Sequence, residues 1–116
     1  MNEIAQRPTI VCLCGSVRFR EEFERATKEE TCKGNIVLSV GYFPTEAEKQ
    51  EEFFLKHKPN LDQLHFRKIE LADGVLILNV GGYIGESTAN ELAHARKLGK
   101  RIIFLEPDCA GKEKKC

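Results

Sequence analysis

The sequence predicts an α/β protein of three layers, α/β/α, built on a parallel sheet of four to five strands. Two observations carry this expectation. Apolar runs recur at residues 9–14, 36–40, 74–78 and 101–105, each the length of one strand. Little polar alternation interrupts them, as expected of strands covered on both faces. Between the runs stand segments of helical composition. Strands alternating with helices imply right-handed crossovers and hence parallel pairing.

Each element has its own justification. Thr-Ile-Val-Cys-Leu-Cys at 9–14 ends at Gly15, which marks the end of the first strand. Residues 18–31 form the first helix, because Phe19, Phe23 and Ala26 recur at i, i+4 and i+7 while the other face is charged. Cys32-Lys33-Gly34 closes it and 36–40 is the second strand. Thr45 and Glu48 have capping-box spacing, so a short helix is expected from Glu46 towards Lys56, interrupted by Pro59. A second start at Asn60 and Gln63 opens a helix over 61–72, with Leu61, Leu64 and Leu71 as its apolar stripe. Residues 41–59 are the natural place for a lid. The third strand is 74–78, the next helix 86–98 with Gly99 as its C-terminal glycine, and the fourth strand 101–105. Pro107 closes the sheet region and 110–116 reads as a frayed, charged tail. The whole suits one domain over 1–116 with its core at 9–105, flavodoxin-like or Rossmann-like in layout.

Composition excludes several classes. Of 116 residues, 41% are hydrophobic and 31% charged, which is neither a disordered nor a membrane composition. Eighteen basic and eighteen acidic residues cancel, so nothing global favours a nucleic acid polymer or an anionic membrane. Charge that holds an anion must be local. No run approaches the roughly 20 apolar residues of a membrane helix, and residues 1–6 lack a signal-peptide core. A cytoplasmic location is expected, with the five cysteines as thiols. Cys12 and Cys14 would share one buried strand face. Their spacing is not that of a zinc knuckle, and no second Cys or His pair follows, so no metal is expected.

Two strand-to-helix corners could carry chemistry. At the first, Gly15 permits a tight turn, Ser16 offers a hydroxyl at a helix start and Arg18 a guanidinium. Together they suit a phosphate, or equally a plain Ser N-cap with a solvated Arg. The spacings of the glycine-lysine phosphate loop and of the dinucleotide fingerprint are both absent. The second corner runs from Asn79 through Gly81, Gly82, Tyr83, Gly85, Glu86, Ser87 and Thr88 to Glu91. In open α/β sheets ligands bind at this place, between a strand's carboxyl end and the next helix. Tyr83 could stack on a base or cover the loop. Thr88 and Glu91 also have capping-box spacing, which by itself favours a cap over catalysis. Glu91 and His94 have the E-x-x-H spacing of di-iron bundles, but no second such pair exists and His94 reads as a packing residue. Asp73 stands before the third strand.

Gly15-Ser16-x-Arg18, Ala72-Asp73 and Gly85-Glu86-Ser87-Thr88-x-x-Glu91-Leu92-x-x-Ala95 together resemble the nucleoside 2-deoxyribosyltransferase superfamily, which includes the 2'-deoxynucleoside 5'-monophosphate N-glycosidases. The resemblance spans residues 9–105 in matching order. It implies that Glu91 is a nucleophile attacking the anomeric carbon of a (deoxy)nucleoside or nucleoside 5'-monophosphate, through a covalent glycosyl-glutamate. It implies Asp73 as a supporting acid, and Ser16, Arg18 and Ser87 as contacts to a 5'-phosphate. Transferases of that family carry an Asp-Gly pair where this chain has Asn79-Val80, and a second Asp where it has Gly85-Glu86. Asn79 can hydrogen-bond a base or sugar but cannot transfer a proton as an acid. The family implies no cofactor and an assembly of two or more subunits. The competing expectation is a nucleotide-binding or sensing module of the same fold without turnover. A flavodoxin-like or receiver-like signalling domain ranks last, because receivers need clustered acids after the first strand and Cys14-Gly15-Ser16 has none.

Overall fold

The computed structural model describes residues 7–107. The fold is α/β: β1 (Ile10–Cys14), α1 (Arg20–Cys32), β2 (Ile36–Leu38), α2 (Glu52–Leu71), β3 (Gly74–Ile77), α3 (Glu86–Lys97) and β4 (Arg101–Phe104). The four strands make one parallel sheet in the order β2-β1-β3-β4. This is the order of the first strands in flavodoxin-like sheets, and it reverses between β1 and β3.

Alternation along the strands assigns the two faces. Cys12 and Cys14 of β1, with Val75 and Ile77 of β3, pack on Ile69 of α2, Ala72 and Ala95 of α3. Val11, Leu13 and Leu76 point the other way, onto Phe23 and Ala26 of α1. The central strands are therefore apolar on both sides, and the three layers follow. Burying a side chain such as Phe23 or Leu13 contributes about 1.5–3 kcal/mol, so these two contacts alone anchor α1 to the sheet. Gly99, at φ 73°, closes α3: its N–H bonds to Arg96 O and that of Lys100 to Ala95 O, both at 3.0 Å. No helix among the described residues is long and apolar enough to cross a membrane. The expected tail at 110–116 lies outside the described residues.

The helix before β3 departs from expectation. In place of two helices divided at Pro59, α2 runs unbroken for 20 residues with Pro59 inside it. Proline removes the N–H that would reach Leu55 O. Lys58, Pro59 and Asn60 are all exposed, so water can reach this turn and the orphaned carbonyl. The Thr45–Glu48 capping box does form, with reciprocal bonds of 2.8 and 3.1 Å, but the helical turn it starts covers only Glu48–Gln50. The apolar stripe is also displaced. Leu64 and Leu71 are exposed, whereas His65 and Ile69 are the buried residues of α2.

Candidate active site

The carboxyl ends of β1 and β3 open onto a cavity of about 380 Å³ at the point where strand order reverses. Gly15 and Ser16 line it from β1. Tyr83, Gly85, Glu86, Ser87, Thr88 and Glu91 line it from the loop and start of α3. Leu61, Asp62, His65 and Lys68 of α2 form another wall, and Tyr42, Pro44, Lys49 and Phe54 of the expected lid segment form the rim. Glycine at position 15 has a packing reason, since a Cβ there would stand 3.0 Å from Leu78 Cβ. The chain leaves β1 pressed against the end of β3.

Glu91 and His65 face each other across this cavity, with Glu91 Oε1 3.9 Å from His65 Nε2 and both side chains largely buried. Behind His65 stand Cys12 and Cys14, whose sulfurs lie 3.6 and 3.5 Å from the same Nε2. Burial pushes the Glu91 carboxyl up to about 7; His65 opposes the rise, while Cys12 and Asp62 add to it. Burial also disfavours charge on His65, yet the contact with Cys12 and the Glu91 carboxylate outweigh it and the imidazole pKa is raised. Contact with Cys12, then burial, holds Cys14 as a thiol. Glu91 and His65 thus face each other at ion-pair distance and each influences the other's protonation.

The structure brings most of the sequence-predicted site residues together. Ser16 caps a turn at Val17–Phe19, its hydroxyl accepting from Arg18 N at 3.3 Å, and also faces the cavity. The two readings of that serine coexist. Arg18 lies outside the cavity wall: its guanidinium stacks over the Tyr83 ring at 4.4 Å and donates to the Tyr83 hydroxyl at 3.4 Å. Gly85 is the N-cap of α3, and a Cβ there would meet that hydroxyl at 2.9 Å. The Thr88–Glu91 capping box does not form. Thr88 is the third residue of α3 and buried, and Glu91 a turn further on points into the cavity. His94 is a packing residue, held by Glu70 at 3.1 Å and stacked near Phe66.

Besides Arg18, two expected site residues do not line the cavity. Asp73 is at the amino end of β3, the opposite end of the sheet from Glu91. There it holds Arg7 through bonds of 2.7 and 2.8 Å and accepts from Ile10 N at 2.7 Å. It therefore cannot supply a proton at Glu91, and its place in the site is corrected. Asn79 is buried with its amide spent on β4's exit, donating to Glu106 O and accepting from Glu106 N, both at 2.9 Å. It binds the protein itself and does not line the cavity.

His65 was missed because an imidazole among Leu and Ile reads as a packing residue. The signal was present: Leu61, His65, Ile69 and Ala72 recur at i, i+4, i+8 and i+11, so the buried stripe of α2 runs through a titratable ring. Local cations are also present on the cavity wall. Lys58 is tied to Asp62 at 3.0 Å, Lys49 to Glu46 at 3.0 Å, and Lys68 to Ser39 O at 2.6 Å. No protein-family model matches this chain, and no curated protein matches it.

Proposed function

We propose that the protein cleaves or transfers at the N-glycosidic bond of a (deoxy)nucleoside or nucleoside 5'-monophosphate, with Glu91 as nucleophile. The observation that carries this reading is the Glu91–His65 pair at 3.9 Å inside the cavity at the sheet's crossover. A volume of about 380 Å³ lies within the range of small-molecule sites, roughly 300–1,000 Å³. Tyr42, Phe54 and Tyr83 offer faces for a base, and the lysines with Ser16 and Ser87 offer donors for a phosphate.

The chemistry runs in two balanced steps. A Glu91 carboxylate oxygen bonds to the anomeric carbon as the C–N bond breaks, its electron pair leaving with the base. The His65 imidazolium donates the proton the departing base needs. Water, or a second base, then attacks the same carbon, frees the Glu91 carboxylate and returns a proton to His65. His65 so takes the supporting role that the sequence suggested for Asp73. We place the protein in a reducing compartment, the cytoplasm, in keeping with its cysteine-rich buried face. It assembles as a homodimer or larger through α2, where Phe53, Leu64 and Leu71 stand exposed 11 and 7 residues apart, along one line of the helix.

The test is a chromatographic assay of base release from deoxynucleosides and their 5'-monophosphates, with and without an acceptor base. Free or exchanged base, lost in Glu91→Ala, is the expected result. With a poor acceptor, mass spectrometry should find the intact protein carrying one sugar. Ligand binding with no product from any substrate would overturn the reading and leave a binding module.

A further inference from the structure

Cys12 and Cys14 are fully buried, yet their sulfurs do not simply pack on apolar neighbours. Both approach His65 Nε2, at 3.6 and 3.5 Å, and the three atoms lie within 4.8 Å of one another. Zinc holds a thiolate sulfur at about 2.3 Å and an imidazole nitrogen at about 2.0–2.1 Å, and a tetrahedral angle between them separates the two atoms by roughly 3.5 Å. The observed separations match that edge. The backbone makes this arrangement rigid, because i and i+2 of a strand share a face and His65 is fixed to it by the burial of α2. Two sulfurs and one imidazole form a donor set that selects zinc-like cations over magnesium or calcium.

We propose that Cys12, Cys14 and His65 form a binding site for one zinc-like divalent cation, with the Glu91 carboxylate closing its fourth position from the cavity. The site joins groups 53 residues apart in sequence, which is why the Cys-x-Cys spacing alone did not reveal it. Binding converts thiols to thiolates and releases their protons to solvent. It also removes His65 Nε2 and Glu91 from other chemistry. Metal loading therefore blocks glycosidic turnover. This inhibitory consequence rests on the reading of Glu91 above, whereas the metal site stands on the geometry of its three ligands.

The experiment uses the full chain with Cys32, Cys109 and Cys116 replaced by Ser, so that Cys12 and Cys14 are the remaining thiols. Cobalt(II) is titrated in and then displaced by zinc(II). One equivalent should produce the tetrahedral and thiolate charge-transfer absorption of a cobalt–sulfur site, bleached by zinc. Cys12→Ser and Cys14→Ser should each weaken binding at least about tenfold, and Glu91→Gln should retain the cobalt–sulfur band at lower affinity. Native mass spectrometry of the unmutated chain reads the same stoichiometry if the serine background folds poorly. Absence of the charge-transfer band, or its persistence in the Cys12→Ser/Cys14→Ser double variant, would overturn the site. A hydrogen-bonded thiol–imidazole cluster would then account for the distances. If no substrate turns over, the cobalt titration still decides the metal site, so the two failures are separable. If turnover exists and buffered zinc at saturating occupancy leaves it intact, the inhibitory consequence is overturned.

Discussion

Glu91 and Asp73 are both carboxylates beside β3, yet they meet opposite environments. Burial raises the Glu91 pKa to about 7 against the opposing pull of the neighbouring His65 imidazole. Asp73 accepts two bonds from Arg7 and one from a backbone N–H, which hold its carboxyl well below the usual carboxylate range. The consequences differ in kind. Glu91→Ala should reduce base release to background. His65→Asn should lower kcat by about 10²–10⁴, the usual contribution of a positioned acid–base group, while substrate binding measured by calorimetry persists. Asp73→Asn should leave turnover unchanged and act on stability instead. Because the folded pKa of Asp73 is depressed, its contribution is present above the unfolded value of about 3.9 and is lost as pH falls below it. Urea midpoints of wild type and Asp73→Asn should therefore differ near neutrality and converge between about pH 4 and pH 2. A gap that stays constant to the acid end would refute that account.

At the scale of elements, α2 is the informative one, since it carries His65 to the cavity and Leu64 and Leu71 to the surface. Its continuity through Pro59 conflicts with local propensity, where proline costs about 3 kcal/mol relative to alanine inside a helix. Tertiary burial of His65 and Ile69 on the sheet outweighs that cost. Pro59→Ala should restore one hydrogen bond at an exposed turn, against a gain in unfolded-state entropy of about 0.4–1 kcal/mol once proline is removed. The expected net gain is about 2–2.6 kcal/mol, read as a higher urea midpoint. A lower midpoint would mean that the turn at Pro59 is not helical in solution.

At the scale of the molecule, three elements that are distant in sequence converge because the sheet order reverses between β1 and β3. β1 supplies Cys12 and Cys14, α2 supplies His65, and α3 supplies Glu91, and each arrives by packing on the same face of the sheet. The opposite face packs on Phe23 and Ala26 of α1. Net charge is zero over the chain, so any attraction for a phosphate comes from the lysines at the cavity rather than from a global field. Phe53, Leu64 and Leu71 stand exposed along one line of α2, where the proposed assembly places its interface. Leu64→Lys with Leu71→Lys should shift a dimer to monomer in light scattering after size exclusion, with unfolding unchanged at low concentration. A wild-type monomer at tens of micromolar would dispose of the α2 interface.

The amino-acid sequence by itself determined the layers. Continuous apolar runs alternating with helical segments pointed to parallel strands. Of these only β1 and β3 are buried on both faces, while β2 and β4 are half exposed at the edges. The Phe23–Ala26 stripe covers one face, so α/β alternation and parallel pairing were legible at once. The sequence also placed Ser16 at one strand-to-helix corner and Tyr83, Gly85, Glu86, Ser87 and Glu91 at another, because they sit at strand ends where the chain must turn. The fold brings the two corners onto one cavity. What the sequence could not determine was which charged and polar groups those turns would face. The family resemblance carried Asp73 into the site, but it lies at the amino end of β3, away from Glu91, and both it and Asn79 are spent on contacts within the protein. His65, Cys12 and Cys14 looked like core because local periodicity counts an imidazole or thiol inside a stripe as filler. Only the packing of α2 across β1 decided that those three would meet each other, and Glu91, at the floor of the cavity.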